Sequence, residues 1–302
     1  MPRRKVSHLT LHDIKLVHNA IVAWVSLLRT LPVLQSLSMR FPSGLPDFEL
    51  QHAVLEALKA SPNSVACPLP ALRNLSLQNV HHGHPSPFVD VLSCANPYPH
   101  LTHLFLSTPP CFYTPSKVTE FWMQGVLPVL RCCSATLTAL TLKSVEEIGF
   151  PTVVFDGIYF PHLTNLSLAR VLFDEKTGTE GFILRHAPTL SFLELIGCKA
   201  VMITDMPTPG PSYTWEKIYK SFALDLQSLS ILVISPDTMH DSDDEDAAVV
   251  QDITYTQRSA VEEWNMHHFD DYRPPPWLEA DAVALAELSK SVSERWERSI
   301  QE

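Results

Sequence analysis

Glycine is scarce in this chain: nine residues in 302. None lies in a GxGxxG run, a Walker-type loop or a GxSxG elbow, and no HExxH pair occurs. The sequence therefore offers no glycine cradle for phosphate, no nucleophile elbow and no zincin-type helix. The six cysteines (Cys67, Cys94, Cys111, Cys132, Cys133 and Cys198) form no CxxC pair and no zinc-type spacing with histidine. Neither a metal site nor a disulfide framework is indicated, and a reducing compartment, cytoplasm or nucleus, is expected. Long apolar runs are missing too. The start is basic, but the nearest apolar run, 21–28, lies too far in for a secretion signal and has no small-residue cleavage site. No segment approaches the roughly 20 apolar residues of a membrane helix. No enzyme activity, cofactor, metal or membrane partner is expected.

Positive charge is the other shortage. The formal net charge is -11, and residues 237–302 hold 17 of the 33 Asp and Glu but 5 of the 22 Lys and Arg. The body is thus nearly neutral and has no basic stripe of the kind that neutralises phosphates, which argues against a nucleic-acid partner.

What the chain has in quantity is leucine at fixed spacing. "LPVLQSLSM" at 31, "LPALRNLSL" at 69, "YPHLTHLFL" at 98, "SATLTALTL" at 134, "FPHLTNLSL" at 160, "APTLSFLEL" at 187 and "LQSLSILVI" at 226 share one LxxLxL frame. Its first leucine falls at Leu34, Leu72, Leu101, Leu137, Leu163, Leu190 and Leu229, in steps of 38, 29, 36, 26, 27 and 39 residues. "VSHLTLHDI", with Val6, Leu9 and Leu11, fits one step earlier. These steps lie at or above the period of a leucine-rich repeat, the long ones carrying insertions. Five copies place a proline two residues before the first leucine (Pro32, Pro70, Pro99, Pro161 and Pro188), where a missing N–H and a preset φ suit the approach to a strand. Helix-like segments at 15–30, 48–60, 117–133, 178–187 and 213–225 separate the copies. The expectation is an α/β fold: an irregular leucine-rich-repeat solenoid over 1–236 with a concave parallel sheet and outer helices. The asparagine position of such repeats, eight after the first leucine, holds instead Ile14, Pro42, Val80, Pro109, Val145, Val171, Cys198 and Asp237. Without an asparagine ladder, irregular curvature is expected.

The stretch "FPHLTNLSLARVLFDEKTGTEGFILRHAPTLSFLELIGCKA", 160–200, resembles the leucine-rich-repeat region of F-box proteins abundant in mushroom-forming fungi, and the resemblance extends over about residues 6–236. It implies a protein-recognition scaffold, the substrate-binding arm of a ubiquitin-ligase receptor. In that family an N-terminal F-box docks on ligase components. Only five residues precede Val6, so ligase partners are expected only where an F-box lies upstream. A structural or decayed fragment, and least of all an enzyme, stay open as other readings.

Strand alternation supplies the candidate site. Residues two, four and six after each first leucine face outward, among them Arg40, Asn74, His103, Phe105, Lys143, Asn165, Phe192 and Glu194, with Phe105 and Phe192 the anchors for a protein ligand on the concave face. The sequons at Asn74 and Asn165 recur at one slot of the repeat and are read as its by-products. His81, His82 and His84 read as a solvated Gly/Pro loop, as do His267 and His268 beside Asp270 and Asp271. Cys132 and Cys133 read as a buried helix end.

Residues 237–275 read as an acidic, Pro-rich, partly disordered segment. Ser242, followed by Asp243, Asp244 and Glu245, suits phosphorylation by an acidophilic kinase. From 276 to 302 an amphipathic helix is expected, with Leu278, Val283, Leu285, Leu288, Val292, Trp296 and Ile300 on its apolar face, capping the last repeat. The strand at Leu9 and Leu11 is expected to leave an open edge prone to self-association.

Overall fold

The computed structural model describes residues 31–42, 69–81, 99–109, 115–133, 135–149, 153–203, 213–236, 254–258, 266–268 and 278–301, with isolated positions 16, 19, 20, 23, 24, 27, 51, 52 and 55. Every LxxLxL copy becomes a strand that begins two residues after its first leucine: β1 (Ser36–Arg40), β2 (Asn74–Gln78), β3 (His103–Ser107), β4 (Ala139–Ile148), β5 (Asn165–Phe173) and β6 (Phe192–Ile196). β7 (Lys199–Ile203) intervenes before the seventh copy, β8 (Ile231–Ser235). The seven copies lie side by side, parallel and in one register, in the order β1-β2-β3-β4-β5-β6-β8. The second and third leucines of the frame point to one side and are buried in all but the last strand, where Leu232 and Ile234 are half-buried.

The proline has a specific place. Pro32, Pro70 and Pro161 each follow the residue whose carbonyl accepts the first leucine's N–H: Leu34 to Leu31 (3.1 Å), Leu72 to Leu69 (3.1 Å) and Leu163 to Phe160 (3.2 Å). Proline thus occupies the second position of a β-turn, where its fixed φ costs nothing. At the other end of the strand, the seventh residue after the first leucine turns left-handed in three copies: Asn79 (φ 58), Arg170 (φ 57) and Gly197 (φ 54). That reversal swings the next residue, Val80, Val171 or Cys198, into the core.

The missing asparagine ladder has a replacement. One residue after the first leucine, the carbonyl of each copy accepts two backbone N–H groups from the next, as Thr102 does from Thr138 (2.8 Å) and Ala139 (2.9 Å). The side-chain hydroxyl at this slot donates back to the preceding copy: Thr102 to Arg73 (3.2 Å), Thr138 to Thr102 (3.1 Å), Thr164 to Thr138 (3.1 Å), Ser191 to Thr164 (3.2 Å) and Ser230 to Ser191 (3.1 Å). Thr138→Val keeps the shape and removes one donor, so it should lower stability by about 1 kcal/mol. An unchanged urea midpoint would show that the hydroxyls are idle.

Helices join the strands and pack on the leucine side. Between β3 and β4 run α1 (Pro115–Glu120), a π-helical turn (Phe121–Val126) and α2 (Leu127–Cys132). Pro128 lacks an N–H for the regular ladder, and the Leu127 N–H just before it bonds to the Trp122 carbonyl, five residues back. α3 (Thr179–Leu184) precedes β6 and α4 (Trp215–Asp225) precedes β8. One apolar cluster joins the strand leucines with Trp122, Phe182, Trp215 and Phe222. No described helix is long and apolar enough to cross a membrane.

Two findings differ from the sequence reading. Within 237–275, residues 254–258 and 266–268 form β9 (Thr254–Arg258) and β10 (Met266–His268). β9 pairs in parallel with β7, which pairs with the far end of β5, and β10 runs antiparallel to β9. The last helix, α5 (Leu278–Gln301), packs on α4, but its buried face is Asp281, Ala284, Leu288 and Val292; Val283, Trp296 and Ile300 are exposed. The reason is polar. Asp281 accepts from the Glu216 N–H (2.7 Å) at the start of α4, and the Arg295 guanidinium donates to the Ala223 (2.8 Å) and Leu226 (2.9 Å) carbonyls at its end. A carboxylate at the positive end of α4 and a guanidinium at its negative end complement the helix dipole and set the rotation of α5. The expected edge strand at Leu9 and Leu11 lies outside the described residues.

Candidate functional site

The outward side chains of the seven strands form three straight rows, because the register carries each slot from strand to strand. The first row runs Ser36, Asn74, His103, Ala139, Asn165, Phe192, Ile231. The second row holds Phe105 beside Thr141 and, two strands on, Ser167 beside Glu194 and Val233. The third holds Lys143, Ala169 and Ile196, with Arg40 on β1. All the outward residues singled out from the sequence therefore lie on one face. At its β8 end α5 comes close, Ile231 sharing a small pocket with Ser289, Ser293 and Trp296.

Exposure varies along the face. Arg40, Asn74, His103 and Asn165 are exposed; Phe105, Lys143, Phe192 and Glu194 are half-buried; Ser167 and Ala169 are buried between neighbouring strands. Phe105 and Phe192 alternate with the buried pairs Leu104/Leu106 and Leu193/Leu195, so both belong to the surface row and not to the core. The Lys143 ammonium stands 6.0 Å from the Phe105 ring centroid, a cation–π contact. The Glu194 carboxylate accepts the Ser167 hydroxyl. His103 Nδ1 lies 2.9 Å from the Thr102 hydroxyl. A shallow groove of about 210 Å³ crosses β1 to β4, with Asn74, His103, Phe105, Ala139 and Thr141 in its lining.

No family model, curated protein or solved structure matches the chain.

The titratable groups with displaced pKa lie away from this face. Burial pushes the Cys198 thiol up to about 12, so it stays protonated and inert. Burial, seconded by the hydrogen bond to Glu180, raises the Tyr213 hydroxyl. His186 is lowered to about 4, chiefly by burial. Among the described residues no group of three His, Cys, Asp or Glu could hold a metal ion.

Several expectations need placing. His81 is not solvated but buried: its N–H donates to Gln51 Oε1 (2.8 Å), its carbonyl accepts from Gln51 Nε2 (3.0 Å), and its Nε2 lies 2.8 Å from the Pro42 carbonyl. It ties the end of β2 to the chain after β1, a partnership that its Gly/Pro sequence context hides. His82, His84, Asp270 and Asp271 lie outside the described residues, as does Ser242. Cys133 is buried at the end of α2. Sequence reasoning missed Ala139, Thr141, Ile196, Ile231 and Val233, which occupy the same outward offsets as the residues it chose.

Proposed function

We propose that the chain is a leucine-rich-repeat solenoid that recognises another protein on the open, concave face of its parallel sheet, a binding role resembling that of the substrate arm of an F-box ubiquitin-ligase receptor. The observation that carries this reading is the set of three outward rows across seven registered strands, with two half-buried phenylalanines among them. Aromatic residues held at a surface by their own rows are the usual anchors of protein interfaces. Their rotamers are restricted by strand neighbours before any partner arrives, which lowers the cost of association.

The test is paired. Phe105→Ala and Phe192→Ala should each weaken a captured protein partner by about 2 kcal/mol, roughly 30-fold in Kd, while leaving thermal unfolding nearly unchanged. A fall of more than about 10 °C in Tm for both, with binding affected only through unfolding, would make them structural residues and sink the proposal.

A further inference from the structure

The face is not uniform, and its irregularities share one region. Along the first row, Ala139 on β4 is flanked by His103 on β3 and Asn165 on β5, both larger, so the row dips at Ala139. This dip is part of the 210 Å³ groove, and Phe105 stands beside it as an aromatic wall. Two residues farther along β4 than Thr141, Lys143 leans over the same ring at 6.0 Å.

Charge singles out this region a second time. The chain carries 33 Asp and Glu against 22 Lys and Arg, so a cation finds an acidic neighbour easily. Elsewhere cations do so: Lys199 with Glu147 (2.6 Å), Lys220 with Glu216 (2.6 Å) and Arg185 with Asp156 (3.6 Å). Lys143 and Arg40, the two cations of the outward rows, make no ion pair among the described residues. Glu194, the one carboxylate in these rows, is on β6, two strands from Lys143, and is engaged by Ser167.

We propose that the open face takes an extended acidic peptide segment, with one carboxylate on Lys143 beside the Phe105 ring and a nearby apolar side chain seated over Ala139 against the same ring. The inference rests on the recognition reading above and names the partner's chemistry. Phe105 serves both parts: its ring packs the apolar side chain and fixes the ammonium that meets the carboxylate. The groove spans four strands but is shallow, which suits a single extended strand of peptide lying across the sheet.

Selection of a phage-displayed library of random 12-residue peptides on the purified chain tests this. Enriched peptides should carry an Asp or Glu within a few residues of an apolar residue. A synthetic enriched peptide, followed by fluorescence anisotropy, should bind at least about tenfold more weakly to Lys143→Glu and to Ala139→Phe, keep most of its affinity for Lys143→Arg, and weaken as salt rises. Lys143→Glu alters only a half-buried surface side chain, so it keeps the test available should Ala139→Phe fail to fold. Enriched peptides that lack an acidic residue beside an apolar one, or ignore both Lys143→Glu and Ala139→Phe, would overturn the inference; if Phe192→Ala still abolished their binding, recognition by the face would stand. No enrichment, or binding indifferent to every substitution on the face, would overturn both.

Discussion

Replacing Asp281 by alanine should cost about 3 kcal/mol and loosen the whole C-terminal end of the fold, because one buried carboxylate holds three elements together. Its side chain accepts from the Tyr255 hydroxyl on β9 (2.5 Å) and from the Glu216 N–H on α4 (2.7 Å), and the Tyr255 hydroxyl in turn accepts the Trp215 N–H (3.0 Å). With the N-cap Thr214 accepting from the Lys217 N–H (3.3 Å), three donors of the first turn of α4 are satisfied by β9, by α5 and by the helix's own cap. Alanine removes the carboxylate that accepts from the Tyr255 hydroxyl and the Glu216 N–H, the costlier side of losing a hydrogen bond. The substitution Asp281→Asn keeps one acceptor oxygen but turns an amide donor toward the second N–H or O–H, so it should recover about half of the loss. Urea unfolding measures the stability, and amide exchange along α5 shows where it goes: protection of Leu288 and Val292 should fall more than that of Leu166 and Leu168 in β5. Equal loss everywhere, or none, would show that α5 is not held by this carboxylate.

The same residue explains why part of the fold could not be read from the sequence. The LxxLxL frame marks the seven strands, their parallel order and their register, since the pattern reports burial directly and the proline marks the turn before it. Hydropathy is only partly right at α5. It finds the buried Leu288 and Val292 but adds Val283, Trp296 and Ile300, which are exposed, and it misses Asp281 and Arg295, whose charges are matched to backbone groups of another helix. β9 shows a related failure: in "TYTQR" the buried Tyr255 matters through a hydroxyl bonded to a residue 26 positions away. No local pattern encodes such a partner.

For the candidate face, alternation was sufficient to name the outward positions, because the offsets of two, four and six from the first leucine fall on the rows. Choosing among them by side-chain size was not sufficient. Ala139 matters only through what flanks it on β3 and β5, and Ile196 gains its setting from Ala169 and Ser235, its neighbours across strands. A groove is a property of adjacent copies, legible only once the register is known. The hydroxyl ladder lies between these cases. Thr102, Thr138, Thr164, Ser191 and Ser230 recur one residue after the first leucine, so the signal is in the sequence, but its meaning depends on the carbonyl in the preceding copy.

Acidification from pH 7.5 to pH 4 should remove about 3 kcal/mol of stability through a single residue, His186. It is fully buried at the end of α3, stacked on Tyr159 and Phe160 (ring centroids 5.5 and 5.6 Å) and edge-on to Phe182 (5.0 Å). Its two nitrogens have opposite tasks: Nδ1–H donates to the Phe182 carbonyl (2.8 Å), while Nε2 accepts the Phe160 N–H (3.0 Å). A proton on Nε2 would set donor against donor in an apolar enclosure, with the Arg185 guanidinium adding repulsion. Hence the pKa is lowered from 6.5 to about 4. The sign follows: stability from the neutral ring is fully present well above about pH 6.5, where the ring is neutral in both states, and is lost progressively as pH falls from there to about 4, with about 2 kcal/mol gone at pH 5. Asp281 works the other way. Burial outweighs its hydrogen bonds and raises its pKa, so its contribution is greatest below the normal carboxyl range and declines as pH rises, and it does not account for acid loss. His186→Leu should cost about 2 kcal/mol at pH 7.5, by orphaning the Phe160 N–H, and should flatten the pH profile between 6.5 and 4. Urea midpoints of both proteins across that range decide the matter: parallel profiles would assign the acid sensitivity to other groups.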